Sequence, residues 1–459
     1  MLSAPNMKLA ETENIERWRR CLVSIMGCGR IGILHTCLFA GAGFKVICAD
    51  TNQAIIDNLL KGRVPFLKSE IEPILRRHLK DGRINATNDL KSAAAQSEIM
   101  IITVPVTVDE KGKTDYSNIE RVLKQAGASF RKGTLIIVTS VVGVGTIEGF
   151  FKEILEGVSG FKVGIDFYLA YSPVLFPEKQ TLRTLADCRR IVAAADKNSL
   201  EVASTVLEAV TRVGLVKTLN VKAAETAMLF EAMNEYANIA LANEFALICE
   251  KMGVDYLAVQ SLAKVNMNSN FAQPSLTCEY SSEALCMLLE EAENLNLKLK
   301  ISEAASETKE EALKHAVNLI REALKSCGKT LRRAKISILG ISQTPNTTDI
   351  PKNSAKKLAE TLAAKGAKTG FYDPFVSSKA LPDLEQALFK KSLTEALESA
   401  DCIIVLTGHD QFKRLNLKKM KLMARMPAAI VDFEGVIDPG KAEAEGFIYR
   451  GLGRGVWTK

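Results

Sequence analysis

Apolar residues gather into short runs at the two ends of the chain and into long helical stripes in its middle. CLVSIMG (21–27) is an apolar run that stops at glycine, and it predicts a buried parallel strand. RIGILHTCLFAGAG then predicts a helix closing on glycine, and FKVICAD predicts a second strand ending in an acid. SEIMIITVP and GTLIIVTS are further apolar runs bounded by turn residues. Strands alternating with helices point to a parallel, doubly wound sheet over 21–200, behind an N-terminal extension of residues 1–20. Over 201–328 the strand signal gives way to helices. AAETAMLFEAMNEYANIALANEFALICEKMG carries Met228, Leu229, Ala232, Met233, Tyr236, Ile239 and Ala240 at helical spacing, as core or subunit interface. ASETKEEALKHAVNLIREALKSCG is amphipathic and ends at Gly328. The alternation restarts at AKISILG. AKTGFYDP, SADCIIVLTG and AAIVDFEG complete a second α/β domain over 329–459.

Composition narrows this picture without redirecting it. A chain of 459 residues has room for two to four domains, and 47% hydrophobic residues suffice for their cores. No apolar run approaches the ~20 residues of a membrane span, and the N-terminus has no secretory h-region. The 10 cysteines are scattered with no CxxC pair, which points to a reduced, cytoplasmic setting and to no metal site. The net charge of +7 is diffuse, so neither nucleic acid nor membrane is an expected partner. Cys278 has no nearby lysine or histidine in sequence to activate it, and His35, His78, His315 and His409 suggest no metal or triad.

The chemistry-bearing motif is GCGRIG. Gly27 suits a tight turn out of the strand, Gly29 close approach of the backbone to a pyrophosphate, and Gly32 close helix–strand packing. Cys28, Arg30 and Ile31 complete the loop, and the helix it opens offers free N–H groups to phosphate. Asp50 ends the next strand, placed to accept from ribose hydroxyls and to repel a 2′-phosphate, which favours NAD over NADP. The expected fold is therefore α/β, with two Rossmann-like doubly wound domains joined by a long-helical central region.

These segments together resemble the UDP-glucose/GDP-mannose dehydrogenase family of nucleotide-sugar 6-dehydrogenases, over about 21–455. VSIMGCGRIG, IITVPVTVDEKGKTD and VTSVVGVGTIE are similar to the family's phosphate loop, VPTP and STVPPGT segments. NEYANIALANEFALICEKMGVD resembles its central helix, nearer the N-acetylmannosamine branch. ILGISQTPNTTDI, GFYDPFV, ESADCIIVLTGHDQF and YRGLGRG resemble landmarks of its UDP-sugar-binding domain. The resemblance implies an NAD-dependent oxidoreductase supplying glycan precursors, with Val104 and Ser140 beside the cofactor. It also implies a homodimer through the central helices, or pairing with an active relative, and a nucleotide-sugar ligand.

Family chemistry oxidises an alcohol twice, through a cysteine thiohemiacetal and thioester, with a lysine, an asparagine and a carboxylate in support. Aligned without gaps, the glutamate position is Val174, the lysine Met228, the asparagine Ala232 and the nucleophile Tyr280. Cys278 lies two residues from that last position and is the candidate displaced nucleophile. An arginine of the N-acetyl branch corresponds to Glu235. In the C-terminal domain, cationic positions are Thr344, Pro351 and Glu434, and Val106 and Val141 stand for two cofactor-seating threonines. Three readings follow: a catalytically impaired, NAD-binding paralogue with a regulatory or scaffolding role; an active UDP-sugar dehydrogenase using Cys278; and a binding module that has also lost NAD.

Overall fold

The computed structural model describes residues 20–64, 67, 70–109, 112–174, 181–263, 271–276, 279–348, 353–376 and 388–457. Two compact units divide the chain, Met1–Met233 with Ser282–Lys298, and Asn234–Ser281 with Leu299–Lys459.

The strands of the first unit are β1 (Leu22–Met26), β2 (Lys45–Ala49), β3 (Ile84–Thr87), β4 (Ile99–Ile102), a small hairpin β5 (Thr107–Val108) and β6 (Thr114–Asp115), β7 (Leu135–Val138), β8 (Tyr168–Tyr171), β9 (Arg190–Ala193) and β10 (Leu215–Thr218). Its helices are α1 (Arg30–Gly41), α2 (Gln53–Leu60), α3 (Ile71–Lys80), α4 (Leu90–Gln96), α5 (Ser117–Gly127), α6 (Lys152–Ser159), α7 (Leu182–Asp187) and α8 (Lys197–Glu208). The main sheet runs β10-β9-β8-β7-β4-β1-β2-β3. β4 and β7 are buried along their whole length, which is why IMII and LIIV read as unbroken apolar runs. α1 is buried from Gly32 to Ala40 and packs into the core with Val23, Ile25, Val46 and Cys48.

This sheet departs from the expected pattern at one edge. β9 meets β8 antiparallel, and β10 extends the sheet parallel to β9, inside the region read as strand-free. The reason is physical: an edge strand is only half covered, so LVKT alternates toward polar residues and carries no apolar run.

α9 (Val221–Met252) is the long central helix. In its stripe Met228, Leu229, Ala232, Tyr236 and Ala240 are buried, while Met233 and Ile239 are half-buried. The same helix exposes Phe230, Leu241, Leu247, Ile248 and Met252, so it is apolar on more than one face. α10 (Tyr256–Ala263), α11 (Glu279–Asn294) and α12 (Lys300–Ser326) follow.

The second unit carries β11 (Lys335–Leu339), β12 (Lys368–Tyr372), β13 (Cys402–Val405), β14 (Ala429–Asp432) and β15 (Ile448–Gly451), with α13 (Asn353–Ala364), α14 (Leu393–Leu397), α15 (Asp410–Lys413), α16 (Leu417–Met423) and α17 (Pro439–Ala444). Its sheet is parallel throughout, in the order β12-β11-β13-β14-β15. α12 buries Ala316, Val317, Leu319, Ile320, Ala323 and Leu324 against this unit's core. Among the described residues, no helix is long and apolar enough to cross a membrane.

Candidate cofactor and ligand sites

In open α/β sheets, ligands sit beyond the carboxyl ends of the strands, where the strand order reverses. In the first unit that place lies between β1 and β4. β1 is followed by Gly27, whose φ of +101° is a conformation that side chains rarely tolerate. A Cβ on Gly32 would stand 1.9 Å from the Gly27 carbonyl oxygen, so the helix approaches the strand at a distance only glycine allows. A Cβ on Gly29 would meet nothing within 4 Å, so the face above it is open. Gly29 is also the N-cap of α1 and offers no side-chain cap, which leaves the leading N–H groups of the helix for a phosphate. The loop fits the pyrophosphate of a dinucleotide.

The neighbouring residues brace this loop. Thr103 donates its hydroxyl to the Gly27 carbonyl at 2.7 Å. Asp50 accepts from the Cys28 N–H at 2.8 Å and from the Asn52 N–H at 2.9 Å, so its carboxylate is held at the tip of β2. Ser140 donates to the Val104 carbonyl at 2.6 Å, which ties the segments after β7 and β4 together. Cys28 is fully buried, and Arg30 and Ile31 are half-buried at the start of α1. Thus Gly27, Cys28, Gly29, Arg30, Ile31, Gly32, Asp50, Val104 and Ser140 are all located at this end of the sheet.

The positions read against the family's catalytic set are buried where the structure describes them. Val174 is 7% exposed, belongs to the main core and donates its N–H to Thr139. Met228 and Ala232 are 3% and 0% exposed. Cys278 lies outside the described residues, as does Pro351, and Tyr280 falls in the first turn of α11. The approach to Cys278 is anchored within the second unit. Asn243 and Ser275 exchange two hydrogen bonds at 3.0 and 2.9 Å, and Tyr256 and Gln260 both donate to the Ala272 carbonyl, at 2.7 and 3.2 Å.

Sequence reasoning missed the side-chain clamp on the loop 143–147. Glu225 is fully buried and accepts from the Gly145 N–H at 2.6 Å and the Ile147 N–H at 2.8 Å, while the Tyr116 hydroxyl accepts from Gly143 at 2.9 Å. Burial outweighs those bonds and pushes the Glu225 carboxyl up to about 7.

In the second unit the strand order reverses between β11 and β13. There His409 joins a buried polar cluster that its sequence neighbourhood does not mark. Its Nε2 stands 3.0 Å from Asp373 Oδ2 and 3.3 Å from Ser342 Oγ, and its Nδ1 accepts the Asn346 N–H at 2.8 Å. The ring proton therefore sits on Nε2 and faces Asp373. This is no nucleophile relay, because serine and aspartate share one ring nitrogen and the other is taken by backbone. Burial opposes ionisation of Asp373, and bonds from His409, Ile341 and Phe375 overcome it, holding the carboxyl below its usual range. Thr344 is buried beside this cluster, and its carbonyl accepts from Ser342 and Thr347. His35 and His315 are also paired, with Arg190 at 3.1 Å and Glu250 at 2.8 Å.

A dinucleotide loop on one doubly wound sheet and a buried polar cluster at the switch point of another define a two-Rossmann NAD-binding protein. The chain belongs to the UDP-glucose/GDP-mannose dehydrogenase family: the NAD binding domain matches 21–211, the central domain 222–311 and the UDP binding domain 337–439. NAD is the cofactor of the matched first domain. The chain is 26% identical over 437 residues to the UDP-N-acetyl-D-mannosamine dehydrogenase of Pyrococcus horikoshii, covering 94% of this chain and 99% of that one. It is also 26% identical over 441 residues to the UDP-glucose 6-dehydrogenase TuaD of Bacillus subtilis, with 94% and 93% covered. A solved structure of the Pyrococcus horikoshii UDP-D-ManNAc dehydrogenase superposes with a TM-score of 0.83 over 95% of this chain and 100% of that one.

Proposed function

We propose that this protein binds NAD and a nucleotide-sugar and has little or no dehydrogenase activity, acting as a regulatory or scaffolding member of its family. The observation that carries the reading is the burial of Val174, Met228 and Ala232. By the family resemblance these apolar side chains stand for a carboxylate, an ammonium and an amide, and none can move a proton or stabilise an oxyanion. Bound NAD would supply a hydride acceptor. Removing even one oxyanion donor typically costs ~10²–10³ in rate. The test is NAD reduction with a panel of UDP-sugars. Absence of turnover is expected, while turnover near the ~1–10³ s⁻¹ ordinary for enzymes would sink the claim.

An active enzyme using Cys278 is the second reading. It is favoured by the anchoring of residues 271–276 through Asn243, Tyr256 and Gln260, which builds the loop leading to that cysteine. Under it, Cys278→Ser abolishes the turnover found in the same assay, and substrate protects Cys278 from alkylation.

The protein acts in the cytoplasm as a homodimer through α9, or pairs there with an active relative. Leu241, Ile248 and Met252 are spaced by seven and four residues, share one face of the helix and are 40%, 53% and 70% exposed. Leu241→Glu with Ile248→Glu is expected to yield monomer in analytical ultracentrifugation.

A further inference from the structure

The net charge of +7, spread thinly over the whole chain, conceals one concentrated patch. FKRLNLKKMKLMAR (412–425) contains six Lys and Arg and no Asp or Glu. The structure folds it into the end of α15, a connector and α16. α16 turns Met420 into the core of the second unit, with Leu417 and Met423 packed against it. The opposite face carries Lys418, Lys421 and Leu422, related by three and four residues and therefore adjacent on the helix surface. Arg414, Lys419 and Arg425 flank them and are exposed. Among the described residues, the ammonium groups of Lys418, Lys419 and Lys421 meet no carboxylate.

Leu422 is the unexplained member. At 87% it is the most exposed of the large apolar side chains among the described residues, and it projects from the middle of the cationic cluster. A solvated basic surface needs no such residue. A nucleic-acid surface would interleave aromatic rings for stacking, and none is exposed on this face of α16. A folded protein partner needs a broad apolar core of some hundreds of Å², which one leucine does not supply. Distributed cations around one shallow apolar anchor are instead the chemistry that holds a protein at an anionic bilayer.

We propose that the outer face of α16 is a peripheral docking surface for anionic lipid headgroups, with Leu422 entering the headgroup boundary between its flanking lysines. This departs from the expectation of no membrane partner, which rested on the spread of charge over the whole chain and on the lack of a spanning segment. Peripheral contact needs no such segment. The inference is independent of the cofactor site and of whether the enzyme turns over.

The test is flotation of the full-length protein with phosphatidylcholine vesicles, with and without phosphatidylglycerol. Binding only to the phosphatidylglycerol vesicles is expected, with loss at ~1 M salt, where the screening length falls to about 3 Å. Each lysine beside an anionic leaflet is worth about fivefold in partitioning, so Lys418→Glu with Lys421→Glu should weaken binding by at least ~25-fold. Leu422→Ser should weaken it about tenfold while leaving its salt dependence in place. Melting temperatures of both variants should match the parent, because every substituted side chain is exposed. No flotation with anionic vesicles at low salt overturns the proposal, and so does unchanged binding by the double variant. Duplex DNA that displaces the vesicles, together with an unaffected Leu422→Ser, would assign the face to nucleic acid instead.

Discussion

Arg190 places its Nη2 3.1 Å from Nε2 of His35, and both side chains are sealed from solvent. His35 donates from Nδ1 to the Ile31 carbonyl at 2.9 Å, so its Nε2 is the acceptor for the guanidinium. The other two guanidinium nitrogens have no hydrogen-bond partner among the described residues. Desolvation draws the Arg190 pKa down to about 10, which keeps it a cation at neutral pH. His35→Leu strands that cation completely and is expected to cost ~1–3 kcal/mol in denaturant unfolding. Adding Arg190→Met should recover the loss, since replacing a poorly compensated buried polar pair by apolar groups of similar volume is often neutral or stabilising. A double variant weaker than His35→Leu alone would contradict this.

The same pair predicts acid sensitivity. Burial, and then the Arg190 charge, lower the His35 pKa to about 3 from its ordinary 6.5. Below pH 6.5 the unfolded chain takes up a proton that the folded chain refuses. Stability should therefore fall as pH drops from 6.5 toward 3, by a few kcal/mol across the window.

Glu225 works in the opposite direction. Its carboxyl titrates at about 7 in the fold, against 4.5 when free. Between those values the folded state holds the extra proton, so stability from this group declines as pH rises from 4.5 to 7. The two slopes oppose each other over 4.5–6.5. Glu225→Gln should expose the His35 slope, giving stability that climbs steadily with pH up to 6.5 in urea titrations. An unchanged profile would mean that Glu225 does not titrate in this range.

Much of the fold is legible in the sequence because buried parallel strands must be apolar on both faces. β1, β2, β4, β7, β11, β13 and β14 announce themselves this way, whereas β12 (KTGFY) is an edge strand. β3, β9 and β10 do not: INAT and LVKT lie at sheet edges, and RIVA opens on the buried Arg190. The cofactor loop is legible because each glycine answers a local steric demand. The clamps are not. Glu225 reaches backbone 80 residues away at Gly145, and the His409 to Asp373 contact spans 36 residues, so no local pattern marks either.

Asp373 is the more critical member of the second unit's polar cluster. Its Oδ2 accepts from Ile341 and Ser342 besides His409, and its Oδ1 accepts from Phe375 and Val376. Asp373→Ala leaves several buried N–H groups unpaired and should lower stability by at least ~3 kcal/mol in denaturant unfolding. His409→Gln can still reach one partner and should cost about half as much or less. Nitrogen NMR of His409 should show the proton on Nε2, and a proton on Nδ1 would refute the assigned hydrogen-bond directions.

The two glycines of the cofactor loop should separate binding from folding. Gly29→Asp enters open space and should leave the melting temperature intact while weakening NAD binding at least tenfold, by placing an anion where the phosphates belong. Gly32→Ala drives a methyl into the Gly27 carbonyl and should lower both stability and NAD binding. Equal NAD affinity for Gly29→Asp and the parent, by calorimetry, would remove the cofactor from this loop.

The β10 edge has a bearing on the protein's behaviour at high concentration. Its outer backbone groups point away from the sheet, beside Val213, Val216 and Leu219, which are 52%, 45% and 46% exposed. That is the composition of a strand ready to recruit another. Lys217 interrupts it, held by Glu208 at 2.7 Å, and a charge there must be stripped of water before a second strand can pair. One lysine thus guards an otherwise adhesive border, and its loss would show as self-association rather than as unfolding.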